Sequence, residues 1–124
     1  MRTESIVINV NSPSPEKLIA FYRDVVELEN EPEMGEGAFK AGPASFIIDG
    51  HSEISANTRE PARVLVTMRV NDLAAEHERL KNRGVPVIRT MGKEYWGGII
   101  STFEDPDGNY FQLSEFHPEA AQTA

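Results

Sequence analysis

Apolar and polar residues follow two different periods along the first fifty positions. Residues 5–10 are rich in β-branched side chains and predict a short β-strand. The Ser-Pro-Glu sequence at 14–16 is typical of a helix start, and apolar residues then recur at three- and four-residue spacing to about Leu28. This spacing predicts an amphipathic helix with one buried stripe. Frequent Pro and Gly at 29–43 predict two short, irregular strands before a better strand at 44–48.

The second half of the chain repeats this order of elements. Residues 50–61 are polar and lack apolar periodicity, so we interpret them as the connection between the halves. The β-branched segment 64–70 predicts the next strand, and segments at 85–91, 99–103 and 110–116 predict three more. An Asp-Gly pair between the last two is typical of a hairpin turn.

A second helix is predicted after the strand at 64–70. Asn71 or Asp72 caps its start, and Gly84 lies where a helix C-cap is expected. Three residues share its inward face: Leu73, His77 and Leu80. We therefore expect His77 to lie at the edge of the core with one partner rather than to act as a base.

The order strand, helix and three strands thus occurs twice. It predicts an α+β fold of two tandem βαβββ modules within a single domain, residues 1–124. The predicted segments are module 1 at about 1–51, a linker at about 52–62, module 2 at about 63–117 and a tail at 118–124.

Composition and charge exclude several classes of function. The 124 residues include no Cys, which excludes disulfide frameworks, thiol nucleophiles, thiolate zinc sites and iron–sulfur clusters. A net charge of −8 argues against binding to nucleic acid or to an anionic membrane surface. No apolar run reaches the length of a membrane span and the first ten residues lack a signal-peptide pattern, so we expect a cytoplasmic protein.

Several short motifs resemble those of a known superfamily. Phe-Tyr-Arg-Asp at 21–24 is similar to its first helix motif. Trp-Gly-Gly at 96–98, Phe-Glu-Asp-Pro-Asp-Gly-Asn at 103–109 and Gln-Leu at 112–113 are similar to its C-terminal motif. Over about residues 5–116 the chain therefore resembles the glyoxalase/bleomycin resistance protein/dioxygenase superfamily, also called vicinal oxygen chelate proteins.

The resemblance implies a fold and a range of functions. It implies that the two modules form a curved mixed or antiparallel sheet around a cleft, with the helices on the outer face. Homodimers are common among members, so we expect a homodimer. It does not imply one reaction, because members isomerise, cleave rings, add groups to epoxides or only sequester a drug.

Side-chain alternation along the predicted strands separates a core face from a candidate ligand face. The core face is apolar throughout and is expected to pack under the helices: Ile6, Ile8, Val10, Phe46, Ile48, Val64, Val66, Met68, Val70, Phe111 and Leu113. The other face mixes polar, aromatic and charged groups: Ser5, Val7, Asn9, Ser45, Ile47, Asp49, Leu65, Thr67, Arg69, Tyr110, Gln112, Ser114 and Phe116. Such a mixture is typical of a ligand cavity, although one side of a sheet can also simply meet solvent.

The resemblance also implies where a metal would be held. Metal-binding relatives take ligands from the start of the first strand and the middle of the last strand of each module. The equivalent positions here are Ser5, Ile47, Leu65 and Gln112. Fe, Zn, Ni and Mn sites need imidazole or carboxylate donors, which this set lacks. We therefore expect no metal at these positions and no other cofactor.

Two acid–histidine pairs are an alternative metal site. Asp49 and His51 lie at the end of the last strand of module 1, and Glu115 and His117 lie at the end of module 2. Residue parity places the first pair on the ligand face and the second on the opposite face, which argues against a shared site.

The candidate ligand-binding residues lie on the ligand face or in a loop beside it: Asn9, Asp49, Thr67, Arg69, Trp96, Tyr110, Gln112 and Ser114. Gln112 is the strongest candidate for a hydrogen bond to the ligand, and its alternative is a structural amide that ties the last strand to a neighbour. Trp96 is either an aromatic platform or a residue packed at the dimer interface. Arg69 either holds a carboxylate or phosphate or is a solvated charge.

Two classes of function remain. The first is a metal-free protein that sequesters, or acts on, an aromatic or cationic compound, with a small molecule and a second copy of the chain as partners. The alternative is an enzyme: a metal-dependent lyase or isomerase of the glyoxalase I kind, a ring-cleaving dioxygenase with non-standard ligands, or an acid–base enzyme that uses His51 or Asp49. A regulatory module that reuses the fold is a third reading.

Overall fold

The structure is a computed structural model that describes residues 1–117. The predicted tail at 118–124 lies outside the described residues. The chain divides into two compact units, Met1–Asn57 and Thr58–Ala124, and each is described by itself below.

Unit 1 contains one helix and a four-stranded mixed sheet. Its elements are β1 (Val7–Asn11), α1 (Pro15–Ala20), a π-helical turn (Phe21–Val25), β2 (Glu29–Asn30), a 3₁₀ turn (Pro32–Met34), β3 (Ala38–Ala41) and β4 (Ala44–Asp49). The strand order is β1-β4-β3-β2, with β1 parallel to β4 and the other pairs antiparallel.

Unit 2 repeats this arrangement. Its elements are β5 (Val66–Arg69), α2 (Leu73–Asn82), β6 (Val87–Lys93), β7 (Gly98–Glu104) and β8 (Tyr110–Phe116). The strand order is β5-β8-β7-β6, again with one parallel pair, β5 with β8. The predicted α+β class with two βαβββ modules is therefore confirmed.

The first helix begins where the sequence predicts and ends earlier than predicted. Pro15 occupies its first turn as expected, but the Ser14 side chain makes no capping hydrogen bond, and the Ser14 N–H donates to the Ser12 hydroxyl (3.0 Å). The helix widens into the π-helical turn and stops before Leu28, because Glu27 adopts a left-handed backbone conformation (φ 66°). The apolar spacing continues past this stop, so periodicity alone placed the end too late.

The caps of the second helix match the sequence more closely. Of the two candidate caps, Asp72 takes the position, and its carboxylate accepts a hydrogen bond from the Ala75 N–H (3.1 Å). Gly84 follows the C-cap residue Arg83 with φ 84°, a conformation that glycine adopts without strain.

Each helix packs its apolar stripe on one face of its own sheet. In unit 1 the buried side chains include Leu18, Tyr22, Phe39, Phe46 and Ile48, and in unit 2 they include Leu73, Leu80, Phe103, Phe111 and Leu113. The rings of Phe103 and Phe111 stack with centroids 5.5 Å apart. Burial of this apolar surface is the main stabilising contribution to each unit.

The predicted core face is wrong at two positions. Ile6 is 60% exposed and Val64 is 74% exposed. Each precedes the first residue of its strand, Val7 and Val66 respectively, so neither is held against the sheet. Alternation assigns a face to a residue only where strand pairing holds the backbone. The remaining core-face residues of β1 and β5 are half-buried.

His77 is buried, as its place on the inward face of α2 predicts. It is 5% exposed, its ring nitrogen Nδ1 is hydrogen-bonded to the Ser101 hydroxyl, and its ring lies 5.3 Å from that of Phe103. The Ser101 side chain is fully buried as well. This pair therefore belongs to the core rather than to an accessible catalytic site.

The hairpin between β7 and β8 is confirmed. Glu104 pairs with Tyr110, and the turn closes through the Asp105 N–H, which donates to the carbonyl of Asn109 (2.9 Å). The Asp105 carboxylate accepts hydrogen bonds from the backbone N–H groups of Asp107 (2.9 Å) and Asn109 (3.0 Å). These carboxylate contacts are turn chemistry, as the sequence suggests.

None of the helices among residues 1–117 has the length and apolar character needed to cross a membrane.

Candidate functional site

The candidate site is one face of the unit 2 sheet, which we call the Gln112 face: Thr67, Arg69, Trp96, Thr102, Gln112 and Phe116. It is opposite the face that carries Phe111 and Leu113 into the core, because side chains alternate along β8. The parallel register sets Thr67 opposite Gln112, and the antiparallel register sets Thr102 opposite Gln112 on the other side. Gln112 therefore lies between two hydroxyl side chains on neighbouring strands.

The Gln112 amide bonds to both of these hydroxyls. Its oxygen Oε1 accepts a hydrogen bond from the Thr67 hydroxyl (2.8 Å), and its Nε2 donates to the Thr102 hydroxyl (3.0 Å). A primary amide has two N–H groups and two oxygen lone pairs, so one of each is not used by these two bonds. The two bonds hold the amide in place while leaving it able to donate to, and accept from, a ligand.

Gln112 can therefore both tie β8 to its neighbouring strands and bind a ligand. The amide ties β8 to both of its neighbours, and it is still half-buried rather than enclosed. A polar group whose orientation is already fixed loses less conformational entropy when a ligand binds.

Two aromatic side chains, Trp96 and Phe116, lie on the same face at the C-terminal end of β8, and we call them the aromatic platform. The guanidinium carbon of Arg69 is 5.0 Å from the centroid of the Phe116 ring. The Trp96 ring also lies beside Phe116, with centroids 5.7 Å apart and ring planes inclined by 35°. Trp96 is 36% exposed, so this platform is accessible to a ligand.

The position of Trp96 depends on Gly98. Gly98 pairs with Phe116 in the β7–β8 register, so the strand position opposite Phe116 has no side chain. A Cβ atom on Gly98 would lie 1.9 Å from Trp96 Cζ3 and 2.0 Å from Cη2, which shows that the indole ring occupies this space. The His117 N–H donates to the Gly97 carbonyl (3.0 Å) and holds the loop against the end of β8.

A depression lies at the other end of β8. It has a volume of about 420 Å³ and is lined by Glu60, Pro61, Ala62, Arg63 and Tyr110. Arg63 and Glu60 form an ion pair across 2.8 Å at its edge. Tyr110 lies two residues before Gln112 on β8, so the depression and the Gln112 face adjoin along one strand.

The other predicted ligand residues are buried on the same side of β8, as Ser114 is, or belong to unit 1, as Asn9 and Asp49 do. Ser114 faces Arg69 in the β5–β8 register but is only 7% exposed. Asn9 is exposed on β1, in register with Ile47. Asp49 is exposed at the end of β4 and accepts a hydrogen bond from the Gly50 N–H (2.8 Å). Asn9 and Asp49 belong to unit 1, and the remaining candidates belong to unit 2.

Sequence reasoning missed Thr102. The signal was present in the predicted hairpin, because a turn over residues 105–109 pairs Glu104 with Tyr110 and therefore Thr102 with Gln112. Phe116 was assigned to the correct face, but its contacts with Arg69 and Trp96 cannot be inferred from strand alternation.

The residues at the four positions that the resemblance equates with metal ligands do not fit a transition metal. Ser5 and Leu65 precede β1 and β5, Ile47 lies within β4, and Gln112 lies within β8. Two of these side chains are alkyl groups without lone pairs, and no imidazole or carboxylate is among the four. Within residues 1–117, no group of three or more His, Asp and Glu side chains is placed to hold a metal ion.

The two acid–histidine pairs have local partners instead. His51 lies in the loop after β4, where its Nδ1 accepts a hydrogen bond from the Glu53 N–H (3.1 Å). Glu115 and His117 are hydrogen-bonded to each other. The second oxygen of Glu115 accepts from the Leu73 N–H at the start of α2 (2.9 Å). The pKa of Glu115 lies below its usual value, mainly because of this backbone hydrogen bond and then because of the bond to His117.

Comparison with known proteins identifies the family. Residues 5–113 match the profile of the Glyoxalase/Bleomycin resistance protein/Dioxygenase superfamily, and the chain therefore belongs to this superfamily. No curated protein sequence matches the chain significantly.

Solved structures of low sequence identity share the fold. A crystal structure assigned to the glyoxalase family from Bacillus anthracis superposes with a TM-score of 0.74 at 20% identity, covering 94% of this chain and 98% of that one. TnmS3, an antibiotic binding protein from Streptomyces sp. CB03234, has a TM-score of 0.68 at 23% identity, covering 94% and 98%. A superfamily member from Sphaerobacter thermophilus DSM 20745 has a TM-score of 0.71 at 18% identity, covering 92% and 98%.

Proposed function

We propose that this protein binds a planar aromatic small molecule on the Gln112 face without a metal ion. The proposal rests on two features of one sheet face. Trp96 and Phe116 form an exposed aromatic platform, and the Gln112 amide is fixed by two hydrogen bonds while one N–H group and one oxygen lone pair are not used by them. Binding sites typically combine apolar surface with a few fixed polar groups that orient the ligand.

The ligand class follows from the groups on this face. The rings of Phe116 and Trp96 favour a guest with a planar π-system. Arg69 lies over Phe116 and is a cation. Because it repels other cations, this face favours an aromatic compound without a positive charge over a cationic compound. The likeness to TnmS3, an antibiotic binding protein, gives independent support for a binding role on this fold.

The metal-free part of the proposal rests on donor chemistry. The hydroxyl, two alkyl groups and amide at the metal-equivalent positions do not provide the imidazole or carboxylate ligands that a catalytic Zn, Ni, Fe or Mn site needs. We therefore favour binding or sequestration over a metal-dependent lyase, isomerase or dioxygenase.

A homodimer and a cytoplasmic location are also part of the proposal. Ile88 and Met91 are exposed on β6, one of the two edge strands of the unit 2 sheet, and such apolar surface is typical of contacts between protein chains. The absence of Cys agrees with a reducing compartment. Light scattering after size-exclusion chromatography measures the oligomeric state, and a monomer at micromolar concentration would contradict the dimer.

The binding proposal is tested by titrating the purified protein with a panel of two- and three-ring aromatic compounds. Trp96 is the only tryptophan in the chain, so its fluorescence reports directly on the platform. We expect a saturable change with at least one compound, and weaker binding in a Phe116→Ala variant. A panel without any response, by fluorescence or by calorimetry, would rule out the proposed site.

Elemental analysis of the same protein tests the metal-free state. We expect substoichiometric Zn, Ni, Fe and Mn in both the wild type and a Gln112→Ala variant. Stoichiometric metal that is lost in this variant would contradict the proposal and favour the enzyme alternative.

A further inference from the structure

Arg69 differs from four of the other arginines in forming no ion pair with a carboxylate among residues 1–117. Arg23, Arg63, Arg79 and Arg89 each form an ion pair with an Asp or Glu side chain. The Arg69 guanidinium contacts the Phe116 ring and, among residues 1–117, forms no hydrogen bond or ion pair.

This lack of a partner is notable because acidic side chains are abundant. The chain has 20 Asp and Glu residues against 12 Lys and Arg, yet none of the described carboxylates is bonded to Arg69. A guanidinium that stacks on a ring uses its π-face for that contact, and its five N–H groups point outward in the plane. Among residues 1–117, none of these donors is used in a hydrogen bond or an ion pair.

Phe116 limits the positions that the Arg69 side chain takes. The ring supports the guanidinium at 5.0 Å, and a stacked arginine loses less conformational entropy on hydrogen-bond formation than a freely moving one. The planar fork of N–H donors matches the two oxygens of a carboxylate, which it binds bidentately.

The Arg69 guanidinium and the Gln112 amide belong to the same face of the sheet and lie close to each other. Thr67 and Arg69 are two residues apart on β5, so their side chains emerge on the same side about 7 Å apart. Thr67 is hydrogen-bonded to Gln112, and Phe116 lies two alternating positions beyond Gln112 on β8. A single flat molecule can therefore contact the aromatic platform, the guanidinium and the amide together.

We infer that the ligand of this face is an aromatic carboxylate whose anionic group binds to the Arg69 guanidinium while its ring system lies against Trp96 and Phe116. This inference rests on the proposed function and adds the charge of the ligand to it. A carboxylate is preferred to a phosphate because the −8 charge of the protein disfavours ligands of higher negative charge.

The test compares two probes of the same shape, 2-naphthoate and its neutral amide, 2-naphthamide. Binding of each is measured by isothermal titration calorimetry to the wild type and to three variants: Arg69→Met, Arg69→Lys and Arg23→Met. Arg69→Met keeps an unbranched apolar stem and removes the charge. Arg69→Lys keeps the charge and removes the planar fork. Arg23→Met is the matched control, because it makes the same charge change at an exposed arginine of unit 1.

We expect the wild type to bind 2-naphthoate about 10-fold more tightly than 2-naphthamide. In Arg69→Met this preference disappears, in Arg69→Lys it is reduced, and in Arg23→Met it stays within about 2-fold of the wild type. Thermal unfolding of each variant establishes that it is folded, and the retained affinity of Arg69→Met for 2-naphthamide establishes that the platform is intact.

The outcomes separate this inference from the proposed function. Equal affinity of the wild type for both probes overturns the inference and leaves aromatic binding supported. Equal losses of 2-naphthoate binding in Arg69→Met and Arg23→Met also overturn it, since the effect would then follow net charge rather than this guanidinium. Failure of both probes and of the whole aromatic panel overturns the inference and the proposed function together.

Discussion

The hydroxyl of Thr67 donates a hydrogen bond of 2.8 Å to the side-chain oxygen of Gln112. This bond joins β5 to β8, which is the only parallel strand pair in the described part of the unit 2 sheet. Thr102 holds the amide nitrogen from the opposite side (3.0 Å). The resemblance to the superfamily equates Gln112 with a metal-ligand position, and its amide is here part of a network of neutral hydrogen bonds.

Gln112→Ala removes both of these hydrogen bonds and the unused amide groups. We expect the affinity for 2-naphthamide to fall about 5- to 10-fold, because a typical neutral hydrogen bond contributes about 1 kcal/mol. The free energy of unfolding in urea should fall by about 1 kcal/mol for the same reason. Thr90→Ala, at an exposed position of β6, is the control and should change neither quantity. Unchanged affinity in Gln112→Ala would show that the ligand does not contact this amide.

Gly98→Ala tests the aromatic platform without changing any ring. The new Cβ would collide with Trp96 Cζ3, 1.9 Å away, so the indole must leave its place beside Phe116. We expect a shift of the Trp96 emission maximum and several-fold weaker binding of aromatic probes, with only about 1 kcal/mol lost in stability. Gly50→Ala, where an added Cβ makes an ordinary contact of 3.5 Å with Pro15, is the matched control. A Gly98→Ala protein with wild-type emission and affinity would contradict the platform.

Ser101→Ala leaves the buried His77 ring without its hydroxyl partner. We expect the free energy of unfolding to fall by about 1–3 kcal/mol, because a buried polar group then loses its hydrogen bond. Replacing both residues, His77→Leu with Ser101→Ala, should recover part of this loss, since no unpaired polar group remains. The four proteins of this double-mutant cycle are compared by urea denaturation. Strictly additive effects would show that the pair does not interact.

Glu115 should make stability depend on pH in the acidic range. Its pKa in the folded protein is lowered from 4.5, first by the Leu73 N–H and then by His117, so folding favours the charged form. This contribution is fully present above the pKa of the unfolded chain and is lost as the pH falls through the lower pKa of the folded state. We therefore expect Glu115→Gln to be less stable than the wild type at pH 7, with the difference closing below pH 4.5.

The measurement is the urea midpoint of both proteins at several pH values between neutral and acidic. Glu78→Gln, at an exposed position of α2, serves as the control for general charge effects. If Glu115→Gln and Glu78→Gln have the same pH profile, the contact of Glu115 with the start of α2 does not contribute to stability.

Leu80→Ala should be among the most destabilising single changes in unit 2. Leu80 is a fully buried residue of α2, and truncation of such a leucine costs about 2–5 kcal/mol through lost apolar burial and the cavity left behind. Leu65→Ala, at a residue that is 41% exposed, should cost less than about 1 kcal/mol. Similar losses in the two variants would contradict the assignment of the core to the α2 face of the sheet.

Much of the fold could be predicted from local patterns. The order of strands and helices, the cap at Asp72 and the last strand at Tyr110–Phe116 follow from propensity, capping and turn chemistry, which act over a few residues. The β6 strand lies at Val87–Lys93 rather than 85–91, because its pairing with β7 includes irregular register that side-chain type does not reveal. Ile6 and Val64 were misplaced for a related reason: their apolar pattern continues beyond the paired backbone.

The sequence by itself determined the family, the two βαβββ modules and the side of the last strand on which Gln112 lies, because each depends on motifs or on alternation within a single segment. Only the tertiary structure decided what Gln112, Arg69 and Trp96 do there. Strand register brings Thr67 and Thr102 to the two sides of the amide, and the absence of a side chain at Gly98 lets the indole lie beside Phe116. These contacts join residues that are far apart in the sequence, 45 positions in the case of Thr67 and Gln112. They therefore depend on the packing of the whole unit rather than on neighbouring residues.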